Sequence, residues 1–336
     1  MSKVVMSWLS RRCNTPSTSI AFSPPFHISN PSPPRFPPPV RCSVAARRAS
    51  ILLTKKVIAT HNGSFHADEA LAVYMLRLLP EYKSAKVVRT RDNDEIASAD
   101  IVVDVGAEYD PARHRYDHHQ RDFKETFGNG FDEIKLSSAG LVYKHFGRRI
   151  VAGILGWDLE KDKEKLETVY LKIYEDFVLS FDGHDNGVSR YPTDIKPKYR
   201  DSTSIGARVG KLNPWWNEHD VDLMERFLKA VELTGTEFTG QVRYVALSWL
   251  PAREIVEKDL ADRFKIDPSG KIILLSQFCP WKEYLHMLEK ETGIKEDDLP
   301  LYVIYEDDRA HQYRVQAVAE SPESFNSRKA LPEPWR

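Results

Sequence analysis

The chain has 336 residues, of which 41% are apolar, with 48 Lys and Arg against 49 Asp and Glu. This composition is typical of a globular protein of about two domains, and the absence of a run of roughly 20 apolar residues excludes a membrane-spanning helix. Residues 1–50 contain seven Lys or Arg and no Asp or Glu, so residues 51–336 have a formal net charge of −8 and could hold a polyanion only at a local basic surface or a metal site.

The first segment, residues 1–54, is rich in Ser, Pro and Arg, and the first acidic residue of the chain is Asp68. A basic, acid-free segment without a continuous apolar core is typical of an organelle transit peptide. We therefore predict a transit peptide for a mitochondrion or a chloroplast, with a merely disordered tail as the alternative. Two of the three cysteines lie here, so Cys279 alone remains, which excludes an internal disulfide and a multi-cysteine zinc site.

Strands and helices then alternate. Apolar runs predict strands at residues 57–60, 85–90 and 101–105, separated by helical patterns at residues 68–79 and 92–99. This order predicts an α/β domain with a parallel sheet, in which ligands lie beyond the carboxyl ends of the strands. His61 and Asp104 fall at or near such strand ends.

Further helices are predicted at residues 137–146, 166–181 and 220–249, the second running into a turn at residues 182–187. Gly235 and Gly240 interrupt the third pattern, which could bridge two domains. A smaller C-terminal α/β unit follows, with predicted helices at 252–264 and 281–289 and strands at 272–275, 301–305 and 313–318. We predict a catalytic domain over residues 55–218, a linker helix over 219–250 and a substrate domain over 251–336.

A spaced set of histidines and aspartates is the strongest functional signal. Five of the eleven histidines fall between positions 61 and 119. Mixed imidazole and carboxylate ligands suit a Mn²⁺, Fe or Zn site with hydrolytic chemistry. The set consists of His61, His66, Asp68, Asp104, Asp117 and His118. Asp104, at the end of a central strand, is the predicted bridging ligand of two metals.

The motifs around these residues, H-N-G-S-F-H-A-D-E, D-I-V-V-D-V-G and Y-D-H-H-Q-R, resemble those of the DHH phosphoesterase superfamily. More narrowly, the chain resembles the melanocyte-proliferating-gene exonuclease family from about residue 57 to residue 336. Further motifs that carry this resemblance are V-R-T-R-D, L-S-S-A-G-L, S-W-L-P-A-R, C-P-W-K-E and L-P-E-P-W-R.

The resemblance implies a DHH-type domain with a 3′→5′ exonuclease activity on single-stranded RNA ends, in the nucleus and in mitochondria. It implies that His61, His66 and Asp104 hold one divalent metal, and that Asp68, Asp104, His118 and a later aspartate hold the other. The superfamily's D-T-G motif corresponds to D-N-G here, which assigns Asp185, with Asp182 in reserve. Mn²⁺ is the expected metal, with Mg²⁺ as the alternative.

Catalytic roles are expected for two neighbours of His118. His119 could donate a proton to a phosphate oxygen or to the leaving group, or could simply support Asp117. Asp117 is expected to orient the ring of His118 from the side opposite the metal. Arg115 and Arg121 flank this motif and could clamp phosphate.

A basic and aromatic stretch later in the chain has two interpretations. Arg208, Lys211, Trp215 and Trp216 could stack bases and hold phosphates, although core packing of the tryptophans is the favoured interpretation.

Relatives in the family continue beyond Pro-Trp-Arg through a glycine-rich His motif, so we expect the C-terminal domain to be incomplete. Two alternatives to an RNA exonuclease follow. One is a small-molecule phosphohydrolase acting on pyrophosphate or short oligonucleotides. The other is a catalytically impaired, metal-dependent RNA-binding protein.

Overall fold

The computed structural model describes residues 55–192, 194–307 and 312–335. The predicted transit peptide over residues 1–54 lies outside these described residues. Among the described residues, no helix combines the length and apolarity required to cross a bilayer.

A five-stranded sheet supports the first part of the chain. Its strands are β1 (Val57–Thr60), β2 (Lys86–Arg89), β3 (Ile101–Val103), β4 (Tyr109–Asp110) and β5 (Arg115–Tyr116), in the order β2-β1-β3-β5-β4. Strand β1 pairs in parallel with β2 and β3, and β3 pairs in parallel with β5, whereas β4 is antiparallel to β5. The predicted mixed α/β fold with a mostly parallel sheet is confirmed.

Helix α1 (Ala67–Leu78) follows β1, and the short α2 (Asn93–Ser98) follows β2. A hairpin of β6 (Thr126–Gly128) and β7 (Phe131–Lys135) leads to α3 (Ser138–Leu155). Helix α3 continues nine residues beyond the predicted end at residue 146. Gly147 does not end it, because this glycine lets the helix approach the ring of Tyr170, which a Cβ atom would meet at 2.7 Å.

The next helices are α4 (Lys163–Ile173) and α5 (Leu179–Asp185), joined by a π-helical turn at Tyr174–Val178. Helix α5 contains most of the segment predicted as a turn at residues 182–187. That prediction was wrong because Asp182 belongs to the helix. Its side chain is fully buried and accepts hydrogen bonds from other residues of the protein.

Helix α6 (Ile205–Gly210) and α7 (Leu223–Tyr244) follow, and a second π-helical turn (Val245–Trp249) connects α7 to α8 (Leu250–Ala261). Gly235 does not interrupt α7. A Cβ atom at this position would lie 2.0 Å from the Tyr74 ring of α1, so the glycine permits close helix packing.

The C-terminal part contains α9 (Arg263–Ile266), β8 (Ile272–Leu274), α10 (Trp281–Glu291), β9 (Tyr302–Asp307) and β10 (Gln312–Ala317). Strand β8 is parallel to β9, and β10 is antiparallel to it. One cluster of buried apolar side chains includes residues of both larger sheets, such as Ile58 and Val303. The predicted domain boundaries therefore stay a prediction. Cys279 is buried, which raises the pKa of its thiol to about 11 and makes it a poor nucleophile at neutral pH.

Candidate metal centre

His61 immediately follows the end of β1. Its carbonyl oxygen accepts a hydrogen bond from Arg89 Nε at 3.2 Å, and its Nδ1 accepts one from the Gly63 amide, also at 3.2 Å. These contacts fix the loop and the ring. The other ring nitrogen, Nε2, then lies 2.9 Å from Glu69 Oε1 and 3.4 Å from Asp104 Oδ2.

The first turn of α1 contributes two buried carboxylates. Asp68 Oδ2 accepts a hydrogen bond from Ser138 Oγ at 2.8 Å, and Glu69 Oε1 accepts one from the His66 amide at 2.8 Å. Their second oxygens, Asp68 Oδ1 and Glu69 Oε2, are buried and have no hydrogen-bond partner in the described part of the chain. A helix N-terminus favours negative charge, yet two unpartnered carboxylate oxygens call for a cation.

Asp104 lies between the histidines, one residue beyond the end of β3. Its amide donates to the Tyr116 carbonyl at 3.1 Å, and its φ of +59° is in the left-handed region, where the chain turns out of the sheet. Oδ1 lies 3.2 Å from His118 Nε2, and Oδ2 faces His61. Both Oδ1 and His118 Nε2 are buried, and no described residue gives either atom a hydrogen bond, so the two atoms approach each other as ligands of a shared ion would.

Asp185, the last residue of α5, belongs to this cluster. Its Oδ2 lies 3.1 Å from His118 Nε2, and its Oδ1 lies 3.9 Å from His66 Nδ1. Asp182, the reserve assignment, lies one helical turn earlier and has protein partners for both oxygens. Oδ1 accepts from the Ser137 amide and hydroxyl, and Oδ2 accepts from the Tyr174 hydroxyl, at 2.7 to 2.9 Å.

Asp117 orients His119 rather than His118, contrary to the expectation from the sequence. Its Oδ1 lies 2.7 Å from His119 Nδ1 and also accepts from the amides of His118 and His119. Its Oδ2 accepts from the Ala107 amide at 2.6 Å. The Asp117 carboxylate is thus occupied in shaping the loop, because the His118 ring points away from it towards Asp104 and Asp185.

The protonation of the cluster reflects the close packing of its charges. Burial alone would lower the pKa of His61, but Asp104 and Glu69 raise it to about 9. Burial alone would raise the pKa of Asp104, but His118 and His61 lower it to about 2. Burial and the neighbouring Asp68 raise the pKa of Asp185 to about 7. The negative charge of four neighbouring carboxylates is only partly balanced by the two buried imidazoles, so the cluster needs further positive charge. The carboxylates are those of Asp68, Glu69, Asp104 and Asp185, and the imidazoles are those of His61 and His118.

Three groups of side chains have ligand atoms close enough to hold a metal ion, all within 4.8 Å of one another in each group. The groups are His61, Glu69 and Asp104; Asp104, Asp117, His118 and His119; and His66, Asp68 and Asp185. Asp104 belongs to two of them, which is the arrangement expected of a bridging ligand. The unpartnered buried oxygens and the mixed imidazole and carboxylate donors fit divalent cations.

Glu69 is the residue of this cluster that the sequence analysis missed. It is fully buried, and burial raises the pKa of its carboxyl to about 8. The only signal in the sequence was its place directly after Asp68 in the H-A-D-E motif, which also fits an ordinary helix-capping glutamate.

Arg115 does not have the substrate-binding role predicted for it. Its guanidinium is buried and donates to the backbone carbonyls of Ala97 and Ala99 at 3.2 Å and of Arg113 at 2.9 Å. It closes the end of α2 and cannot reach a ligand. Arg121 is exposed, and its predicted role stays a prediction.

An open cleft of about 650 Å³ gives access to the centre. Its lining includes His66, Arg91, Asn93, Asp104 and His119. Two of these side chains are well exposed, His66 at 63% and His119 at 58%. Arg91 is also exposed, and its Nη1 donates to Asn62 Oδ1 at 2.6 Å. The cleft thus combines an acidic floor with a guanidinium and an imidazole at its rim.

Comparisons with known proteins agree on one family. A family model described as "Uncharacterised protein family (UPF0160)", with the short name MYG1_exonuc, matches residues 57–336. The chain is 48% identical to "MYG1 exonuclease" of Homo sapiens over 309 residues, which cover 90% of this chain and 79% of the human protein. It is 49% identical to "MYG1 exonuclease" of Mus musculus, over 87% of this chain and 77% of the mouse protein. With "MYG1 protein" of Dictyostelium discoideum it shares 47% identity, over 83% of each chain. No solved structure matches the chain.

Proposed function

Because the chain belongs to the MYG1 exonuclease family, we propose that it is a metal-dependent phosphodiesterase that removes nucleotides from the 3′ end of RNA. One observation carries the proposal. Asp104 Oδ1 and His118 Nε2 lie 3.2 Å apart, buried and with no hydrogen-bond partner among the described residues, and Asp104 lines a cleft that can admit a phosphate.

The ligand sets extend the family resemblance, with one addition. By the family resemblance, His61, His66 and Asp104 would hold one ion, and Asp68, Asp104, His118 and Asp185 the other. The geometry differs for His66, whose ligand atom lies close to those of Asp68 and Asp185, so His66 would contribute to the second ion instead. Glu69 would join the first set, since it contacts His61 and has a free buried oxygen. Divalent ions supply Lewis-acid activation of water and of a phosphoryl oxygen. Mn²⁺ fits the mixed donors best, with Mg²⁺ as the alternative.

Residues at the rim would bind and orient the substrate. Asp117 holds the His119 ring at 2.7 Å, so the imidazole is fixed at the cleft where it can donate a proton to the leaving oxygen. Arg91 takes the phosphate-binding role first expected of Arg115, because its exposed guanidinium lines the same cleft.

The test is a time course on 5′-labelled RNA 20-mers with Mn²⁺, with dinucleotides and pyrophosphate as parallel substrates. The expected product is a ladder that shortens from the 3′ end, and Asp104→Asn should lower the rate by at least about 10²-fold, because it removes a charged ligand from both metal groups. Asp297→Asn, at an exposed site, is the matched control.

Turnover of pyrophosphate alone would replace the exonuclease by a small-molecule phosphohydrolase. RNA binding without turnover in the metal-loaded protein would point to an impaired, RNA-binding protein. The predicted transit peptide extends the proposal to RNA inside a mitochondrion or a chloroplast, which the location of a fluorescent fusion of the full chain would test.

A further inference from the structure

Residues 188–216 follow α5, include α6 and continue a few residues beyond it. We call them the basic–aromatic segment. It contains six Lys or Arg and two Asp, a net charge of +4 in a region of the chain whose net charge is −8. The basic residues are Arg190, Lys196, Lys198, Arg200, Arg208 and Lys211. Positive charge is therefore concentrated in one segment of an otherwise acidic protein.

Four of these cations have no ionic partner among the described residues. Arg190, Lys196, Lys198 and Arg200 are exposed, and none of them forms an ion pair there. Arg208 differs, since its guanidinium pairs with Glu237 at 3.0 Å. Asp201 offsets part of this charge, since the hydrogen bonds from Thr203 and the nearby Arg190 lower the pKa of its carboxyl, but the net charge of +4 still gives the segment a positive field.

Large aromatic side chains alternate with these cations and are exposed. Trp216 is 95% exposed, Tyr199 80%, Trp215 62% and Tyr191 57%. Core packing of the two tryptophans, the favoured interpretation of the sequence, was therefore wrong. Four exposed rings in one segment offer flat apolar faces on which the bases of a ligand can stack.

The basic–aromatic segment is attached to the metal centre near both of its ends. It begins three residues after Asp185. Near its other end, the Asn213 side chain accepts from the Phe65 amide at 2.9 Å and donates to the Phe65 carbonyl at 2.8 Å, next to His66. Between them, Gly206 packs against the ring of His184, which a Cβ atom would meet at 2.7 Å. The segment thus borders the side of the centre formed by His66 and Asp185.

We infer that the basic–aromatic segment binds the strand of single-stranded RNA that leads into the metal centre, with its aromatic rings stacked on bases and its free cations on phosphates. The inference rests on the proposed function. Stacking platforms combined with a positive surface are the usual means of holding a single strand without reading its sequence. A protein partner fits less well, because cations and prolines separate the aromatic residues along the segment.

Fluorescence anisotropy of a labelled RNA 20-mer, with the full chain in EDTA, measures binding without turnover. Trp215→Ala/Trp216→Ala is expected to raise the Kd about tenfold or more, since each stacked base contributes strongly. Lys196→Glu/Lys198→Glu is expected to raise the Kd and to flatten its dependence on salt. Duplex RNA should compete poorly, because its bases are not free to stack.

The matched controls lie elsewhere on the surface. Phe325→Ala removes another fully exposed ring, and Lys161→Glu/Lys163→Glu changes two exposed lysines at the same spacing. Both should bind like the parent protein. A dinucleotide can occupy the metal centre but is too short to extend along the whole segment, so its turnover should stay within about twofold in every one of these variants.

Parent-like binding by the tryptophan variant, an equal loss in the controls, or equal binding of duplex RNA would overturn the inference. Because binding is measured without turnover, a parent that binds RNA through this segment but cleaves nothing would contradict the proposed function and leave the inference supported. If the parent protein cleaves RNA but the tryptophan variant loses no affinity, the proposed function would be supported and the inference about the segment would be contradicted.

Discussion

At the scale of single residues, two aspartates of one helix have opposite roles. Asp182 is fully buried, and its two oxygens accept three hydrogen bonds from Ser137 and Tyr174. Asp185, three residues later, faces the rings of His118 and His66 instead, at 3.1 and 3.9 Å, and receives no hydrogen bond from a hydroxyl or an amide of the described residues. The first carboxylate stabilises the fold, and the second is available for a metal.

Asn substitutions of these two aspartates should separate stability from metal binding. Asp182→Asn should lower the free energy of unfolding by about 3 kcal/mol, because an amide cannot accept all three hydrogen bonds and leaves a buried donor unpaired. Asp185→Asn should leave the urea midpoint nearly unchanged while weakening Mn²⁺ binding by about 10-fold or more. Urea unfolding and metal titration of both variants would check this, and equal effects of the two on stability would contradict it.

The sequence predicted those site residues whose type and spacing are typical of metal ligands. His61, Asp68, Asp104 and His118 come together in the structure because each lies at a strand end or in the first turn of a helix. Glu69 was missed because a glutamate three residues after the N-cap residue, here His66, has an ordinary capping role. Arg115 was misassigned because its side chain is buried against the end of α2, and the sequence does not show which arginines are buried by a neighbouring helix.

At the scale of elements, the ends of the parallel strands position the residues of the site, and other side chains hold the neighbouring helices and loops against the sheet. The Arg115 guanidinium, on β5, donates to carbonyls at the end of α2, including those of Ala97 and Ala99. These carbonyls are the unsatisfied groups of a helix C-terminus. Arg115 therefore joins α2 to the sheet next to the strand that carries Asp104.

Alanine substitution should reveal this structural role. Arg115→Ala should lower the free energy of unfolding by about 2–4 kcal/mol, because several buried carbonyls lose a charged donor. Arg121→Ala, at an exposed neighbouring site, should change stability by no more than about 0.5 kcal/mol. Thermal or urea unfolding measures both, and a stable Arg115→Ala variant with a raised KM for RNA would instead restore the substrate-binding role.

Element boundaries were predictable wherever local patterning decided them, as in β1 and α1. They failed where tertiary contacts decided them. Gly235 was taken as an interruption of a helix, and another helix was predicted to end just before Gly147. Each glycine instead lies where an aromatic ring packs against the helix, that of Tyr74 for Gly235 and that of Tyr170 for Gly147. Without the packing partner, a glycine that ends a helix cannot be distinguished from one that permits close contact.

At the scale of the whole molecule, negative and positive charges lie in different parts of the chain, and each part has its own proposed role. The described centre gathers buried carboxylates, and the acidic remainder of the chain repels a polyanion, whereas the basic–aromatic segment beside the centre attracts one. Cations at the floor of the cleft would complete a path for a phosphate backbone. Both the proposed hydrolysis and the path of the RNA strand therefore require that the cluster around Asp104 holds metal ions.

Metal content tests that claim most directly. Full-length protein is loaded with Mn²⁺, freed of excess ion and analysed by inductively coupled plasma mass spectrometry beside Asp104→Asn and the Asp297→Asn control. The ligand groups predict about two Mn²⁺ per chain in the parent and the control, and at most one in Asp104→Asn, which loses a ligand shared by two groups. A folded parent that retains no ion, or an Asp104→Asn variant that retains both, would contradict the account.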